Sequence, residues 1–191
     1  MNTPNKLTVL RFILSAVFFA IAMIDFPHHW LIALLIFIIA SITDLLDGKI
    51  ARKHNLVTDF GKFLDPIADK MLTTAAFLVF TFKHIGAGVV VITFIVLARE
   101  FIVTSLRLIA ADKQTVIAAN IWGKTKTVMQ MIAIITTLVF LYAMELFSFP
   151  EIICTVLTVI YTVCLWISAF FTVVAGVTYI VDNRKFLNYK K

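Results

Sequence analysis

The chain has 191 residues, 61% hydrophobic and only 15% charged, with a net charge of +6 and a mean hydropathy of +1.00. A soluble domain carries about 45–50% apolar and ~25% charged residues, and a core this small has too little volume to hide such an excess. Composition therefore excludes a soluble globular protein. It also excludes a nucleic-acid binder, since no soluble domain carries the basic residues.

A membrane-crossing helix needs about 20 mostly apolar residues. The first such segment runs from Thr8 to Ile24 and ends before Asp25-Phe-Pro-His-His. It contains Arg11 and no small-residue cleavage site before Asp25, so no secretory signal peptide is evident. The second runs from Trp30 to Asp47, the third from Phe63 to Phe82, and the fourth from Ala87 to Ile109. The fifth covers Ile121 to Met144, with Pro150 following it, and the sixth covers Ile152 to Val181. These stretches are too long and too uniformly apolar for barrel strands, because backbone groups in lipid must be satisfied within each helix or a closed barrel. The expected fold is all-α: a six-transmembrane-helix bundle forming a single domain over residues 1–191. Cys154 and Cys164 share the sixth segment, too far apart to bridge, and read as core or lipid-facing residues. Trp30 and Tyr189 read as interface anchors. His28, His29, His54 and His84 read as solvated loop residues without a functional role.

Orientation follows from the basic residues. Lys6 and Arg11 start the chain; Lys49, Arg52, Lys53 and Lys62 flank the second connection; Arg107, Lys113, Lys124 and Lys126 flank the fourth; Arg184, Lys185, Lys190 and Lys191 end it. The opposite connections contribute only Lys83. Positive residues stay inside, so both termini are expected in the cytoplasm. The positive charge also suits an anionic lipid surface.

The longest polar stretch, Gly48 to Lys62, lies between two pairs of acids. Asp44 and Asp47 are three apart and close the second segment; Asp65 and Asp69 are four apart and open the third. On helices both spacings place a pair on one face. The connection is expected to bring the four carboxylates together at the cytoplasmic edge of the bilayer. Such a cluster is costly at membrane depth and self-repelling, unless a cation is bound. All-oxygen ligands select a hard ion, Mg²⁺ or Mn²⁺, over zinc, and two such ions would clamp phosphoryl groups. Gly48, Ala51 and Gly61 leave room for a bulky ligand, and Arg52 offers a phosphate a forked partner. Pro66 is expected in the first turn of its helix, where its missing N–H costs little. A lone pair of acids would read as solvated helix-end charge; two pairs at helical spacing with glycines interleaved argue against that.

The run Asp44-x-x-Asp47-Gly48-x-x-Ala51-Arg52-x₈-Gly61-x₃-Asp65-x₃-Asp69 resembles the full signature of the CDP-alcohol phosphotransferases. The six-segment pattern extends the resemblance over nearly the whole chain. Asn5-Lys-Leu-Thr8-x-x-Arg11, Arg99-Glu100, Arg107 and Gly123-Lys124-Thr125-Lys126-Thr127 are similar to the members that use sn-glycerol 3-phosphate as acceptor. The resemblance implies transfer of a phosphatidyl group from CDP-diacylglycerol to glycerol 3-phosphate, giving phosphatidylglycerol phosphate and CMP. It implies Asp44, Asp47, Asp65 and Asp69 as metal ligands, with Asp69 also the general base. Asn5, Thr8, Asp44, Gly48, Ala51, Arg52 and Gly61 would contact CDP-diacylglycerol. It further implies a homodimer in the bacterial plasma membrane, with the site facing the cytoplasm.

The acceptor's dianionic phosphate requires cations. Arg107, Lys124 and Lys126 flank one connection, and Arg99 lies deeper, eight residues before Arg107 on roughly the same face. Positive-inside topology alone accounts equally for Arg107 and the lysines, and Arg99 beside Glu100 also reads as an internal ion pair. Gly123-Lys124-Thr125 is no P-loop: Ala118 stands where that motif has glycine, and no strand precedes it. Two other readings stand beside this one. Relatives in the same family form cardiolipin, phosphatidylinositol phosphate or phosphatidylserine, and a divalent-cation transporter would also carry carboxylates within a bundle.

Overall fold

In the computed structural model the described backbone comprises residues 3–54, 59–112 and 121–184; the side chains described are those of 7–43, 67–68, 70–111 and 121–184. The described residues form six helices and no strand: α1 (Thr3–Met23), α2 (His29–His54), α3 (Asp59–Phe82), α4 (Val89–Asp112), α5 (Ile121–Leu146) and α6 (Glu151–Asp182). Three of them, Val89–Ala111, Ile121–Leu146 and Glu151–Asp182, are apolar and long enough to cross a membrane. The described parts of α1, α2 and α3 contribute shorter apolar stretches, Leu7–Met23, His29–Thr43 and Lys70–Phe82.

The pairing follows from side-chain size. α1 packs most extensively on α2 and α3, α5 on α6, and α4 on α6. Ala22, Ala33, Ala40, Ala76, Ala133 and Ala169 lie buried in one core, and small residues let helix backbones approach closely where lipid supplies no hydrophobic drive. Phe18, Phe37, Phe77 and Phe80 fill the space between them. The outer faces are apolar as well: Phe94, Phe101 and Ile152 are each more than 70% exposed. A soluble monomer does not show so continuous an apolar surface.

Two sequence expectations change here. α2 runs on past Asp47 to His54, and α3 begins at Asp59 rather than Phe63, so most of the polar stretch 48–62 is helical. The acidic pairs therefore sit inside helices, not at their ends. The dipole accounts for this: Arg52 and Lys53 suit a helix C-terminus, and Asp59 suits an N-terminus. Pro66 is consequently an interior residue of α3, where it gives no N–H to the carbonyl one turn earlier and so weakens the helix locally.

The other elements fall within a few residues of expectation. α3 stops in a Schellman motif. Ile85 N–H donates to Phe80 O at 2.8 Å and His84 N–H to Thr81 O at 3.2 Å, with His84 left-handed at φ 53°. Gly88, at φ 74°, then turns the chain into α4, and Trp166 Nε1 of α6 donates to Ala87 O at 3.0 Å. A Cβ on Gly88 would lie 2.7 Å from Trp166 Cζ2.

Two readings of single residues are corrected. His29 is buried and opens α2, its Nδ1 paired with Phe26 O at 2.9 Å. Trp30 is buried beneath the Lys83 ammonium, 5.4 Å from its ring, and is no lipid-facing anchor. His84 is exposed in the α3–α4 turn, as expected of a loop histidine. Lys83 also bonds Asp25, tying the α1–α2 turn to the end of α3. Cys154 and Cys164 are free and half-buried, as expected of thiols in an apolar helix. Tyr189 lies outside the described residues.

Candidate active site

The acidic signature is placed by its helices. α2 carries Asp44, Asp47, Gly48, Ala51 and Arg52; α3 carries Gly61, Asp65 and Asp69. The side chains of these residues, and that of Asn5, lie outside the described set. Thr8 is buried in α1, on the face that also buries Arg11, Ser15 and Phe18. Past Asp69 on the same helix, Lys70 and Thr73 open onto a cavity.

That cavity has a volume of about 370 Å³. All four residues predicted to hold an acceptor phosphate, Arg99, Arg107, Lys124 and Lys126, line it. Lys70 and Thr73 enter it from α3, and Tyr179 from α6. Five cationic side chains thus face one carboxylate, Glu100, among the described lining residues. Helical spacing explains the grouping: Arg99, Val103 and Arg107 repeat at intervals of four on α4, and Gly123, Thr127 and Gln130 share a face of α5.

Four of the five cations are held by protein groups. Lys126, almost fully buried, donates to Glu100. Arg99 Nη1 donates to Glu100 Oε1 at 3.2 Å, so the ion-pair reading of Arg99 and its cavity role hold together. Lys70 Nζ lies 3.6 Å from Glu100 Oε2 and donates to Thr104. Arg107 Nε donates to Tyr179 Oη at 3.2 Å while its guanidinium covers the Tyr179 ring at 5.8 Å. Gln130, fully buried, donates to Thr172 at 3.1 Å and fastens α5 to α6 behind the cavity. Lys124 is exposed at the rim.

Sequence reasoning missed Lys70, Tyr179 and Gly176, the glycine that admits Arg99. A Cβ at Gly176 would come within 3.1 Å of Arg99 Cγ, whereas one at Gly123 would make an ordinary contact with its Nη2 at 3.7 Å. A glycine deep in a helix costs about 1 kcal/mol against alanine, which is the signal that Gly176 held space for a neighbour. Lys70 and Tyr179 offered none, because each acquires its role from a different helix.

A second, apolar groove of about 330 Å³ adjoins the first, sharing Thr73, Thr127 and Val128 with it. Leu72, Met131, Ile132 and Ile135 form its walls, and Arg11 lies at its edge. A polar chamber joined to an apolar slot suits a substrate with an anionic head and hydrocarbon tails.

An all-helical protein with apolar faces, a cationic chamber and an acidic helix pair beside it has the form of a membrane-embedded enzyme acting on phosphorylated lipid. Residues 1–174 match the CDP-alcohol phosphatidyltransferase family, and the chain belongs to it. It is 41% identical to the CDP-diacylglycerol–glycerol-3-phosphate 3-phosphatidyltransferase of Bacillus subtilis (strain 168), over 95% of both chains. Proteins of the same name from Rickettsia bellii (strain RML369-C) and Rickettsia felis (strain ATCC VR-1525 / URRWXCal2) are 35% and 33% identical, each alignment covering 97% of both chains.

Proposed function

We propose that this chain transfers the phosphatidyl group of CDP-diacylglycerol to sn-glycerol 3-phosphate, releasing CMP and forming phosphatidylglycerol phosphate. The observation that carries the reading is the gathering of Arg99, Arg107, Lys124 and Lys126 on one chamber beside the helix of Asp65 and Asp69. A large cationic excess recognises a phosphorylated acceptor and disfavours serine. It equally disfavours a path for divalent cations, which such a chamber would repel. The names of the relatives favour glycerol 3-phosphate over inositol phosphate or phosphatidylglycerol.

The residues divide the work by chemistry. Arg107 and Lys124 take the acceptor phosphate at the rim, and Arg99 and Lys126 hold its inner side. Asp69 lies one turn before Thr73 on α3 and takes the proton of the acceptor's primary hydroxyl. The hydroxyl oxygen forms the new bond to the phosphorus that carries diacylglycerol; the bond from that phosphorus to the CMP oxygen breaks. Thr8, Asn5, Gly48, Ala51, Arg52 and Gly61, with Asp44, hold the cytidine diphosphate, and the acyl tails lie along the apolar groove and in lipid.

The family uses divalent metal ions. Four carboxylates at helical spacing on α2 and α3 are a fitting donor set for such ions, being all oxygen and grouped two by two. Asp44, Asp47, Asp65 and Asp69 would hold two Mg²⁺ or Mn²⁺ ions, which when bound neutralise the pyrophosphate and the departing CMP.

The surrounding architecture completes the proposal. Helices α1, α2 and α3 have 21, 26 and 24 residues, and about 20 suffice to span a bilayer, so we read six spans with both termini cytoplasmic. The chain is one domain, a homodimer in the bacterial plasma membrane by resemblance to its family, with the chamber open to the cytoplasm. The test is to incubate purified protein with CDP-diacylglycerol, Mg²⁺ and a panel of alcohols, and to measure CMP. Release with glycerol 3-phosphate alone, lost with a chelator and restored by Mg²⁺ or Mn²⁺, is expected. Release with serine or phosphatidylglycerol instead would overturn the acceptor assignment.

A further inference from the structure

Glu100 is the only acidic residue among the described residues lining the chamber, and it is outnumbered there. Its carboxylate receives Lys126 from α5, Arg99 from its own helix and Lys70 from α3. Its backbone carbonyl accepts the Thr104 hydroxyl at 2.7 Å, and that same hydroxyl oxygen accepts Lys70. A structural ion pair needs one cation per carboxylate. Here three cations from three helices share one, so each is oriented while most of the positive charge stays available to an incoming anion.

Lys70 gives the arrangement its reach. It directly follows Asp69, and one turn on Thr73 lines the chamber. α3 and α4 pack against each other far less extensively than α1 does on α2 or α5 on α6. Their polar ties are few among the described residues: Thr93 Oγ1 meets Thr81 Oγ1 at 2.8 Å and Phe77 O at 3.3 Å towards one end, and Lys70 meets Glu100 and Thr104 towards the other. The Lys70 clasp therefore sets the register of α3 against α4 at the turn that carries Asp69.

We infer that Glu100 is a positioning residue for the transfer. It aligns Arg99 and Lys126 to receive the acceptor phosphate and, through Lys70, holds the Asp69 turn at the distance the acceptor hydroxyl requires. This rests on the acceptor-site reading above. Removing the carboxylate leaves every cation in the chamber, so the acceptor still binds. The alignment is what is lost, and a displacement of about 1 Å costs on the order of 100-fold in rate.

The test uses the full chain in detergent or liposomes, with steady-state CMP release against each substrate. Glu100→Gln is expected to lower kcat about 10- to 100-fold. Neither the KM for glycerol 3-phosphate nor that for CDP-diacylglycerol should rise. Glu100→Asp should recover a large part of kcat, which a packing defect alone would not allow. Lys70→Met should also lower kcat, by no more than Glu100→Gln does, and the double variant should be no worse than Glu100→Gln, because Lys70 acts through Glu100. A folded Glu100→Gln or Lys70→Met protein with wild-type kcat, or a raised acceptor KM with kcat kept, overturns the inference. Should Glu100→Gln not fold, Lys70→Met decides alone, since it leaves Glu100 with Lys126 and Arg99. If the wild-type chain turns over a different alcohol, the acceptor assignment fails, and the same kcat comparison with that alcohol still tests Glu100.

Discussion

Replacing Asp69 by Asn keeps the side chain's size and removes its capacity to take a proton. CMP release by Asp69→Asn should fall about 10²- to 10⁴-fold, the range general-base catalysis supplies, while binding of CDP-diacylglycerol is largely kept. Turnover near wild type would remove Asp69 from the base role. At the chamber's rim the effect should differ in kind. Arg107→Ala and Lys124→Ala each delete a charge-assisted partner worth roughly 1.5–3 kcal/mol, so the acceptor KM should rise about 10-fold or more with little change for CDP-diacylglycerol. Equal effects on both substrates would argue against a phosphate site there. Arg107, Lys124 and Lys126 had two readings in the sequence, topology or binding, because a positive-inside residue and a phosphate ligand look alike until a shared cavity is seen. Arg99 also had two readings, an acceptor ligand or an internal ion pair with Glu100; the structure adds Lys126 and Lys70 to the same carboxylate.

Among the elements, the α3–α4 turn is the most constrained. Gly88→Ala combines a left-handed backbone with a Cβ 2.7 Å from the Trp166 ring, a rigid neighbour. Overpacking and strain together should cost on the order of 2 kcal/mol or more, read as a lower melting temperature in detergent. An unchanged melting temperature would mean that α4 and α6 separate without penalty. At the neighbouring turn, Lys83 bonds Asp25 and its charge holds that carboxyl below the usual carboxylate range, with His29 adding to the effect. The folded-state value is the lower one, so the contribution is present above the ordinary value near 3.8 and fades as pH falls through the folded value. Asp25 is fully exposed, so this limb should be shallow, and Asp25→Asn should flatten it in melts across acidic pH. Helix existence was legible from apolar runs. The ends of α2 and α3 were not, because polar residues past the apolar run continue a helix as well as they form a loop, and only backbone hydrogen bonding decides between them.

For the whole molecule, the orientation is open to direct measurement. With Cys154 and Cys164 replaced by serine, His84→Cys should react with an impermeant thiol reagent on intact cells. Arg184→Cys should react only after permeabilisation. Labelling of Arg184→Cys on intact cells would invert the bundle. Under the proposed orientation, the end that carries most of the basic residues faces the compartment that supplies a phosphorylated acceptor.

The sequence by itself determined the class of environment, the number of helices and the acidic signature. Each of these depends on residue type and spacing along one helix, and such local periodicity survives without a tertiary context. Only the tertiary structure decided that cations on α3, α4 and α5 meet one carboxylate, that Gly176 makes room for Arg99, and that an apolar groove joins the polar chamber. The contacts between helices join residues far apart in the chain, 26 positions for Glu100 with Lys126 and 77 for Arg99 with Gly176. No periodicity encodes them; they exist because close helix packing brings particular faces together.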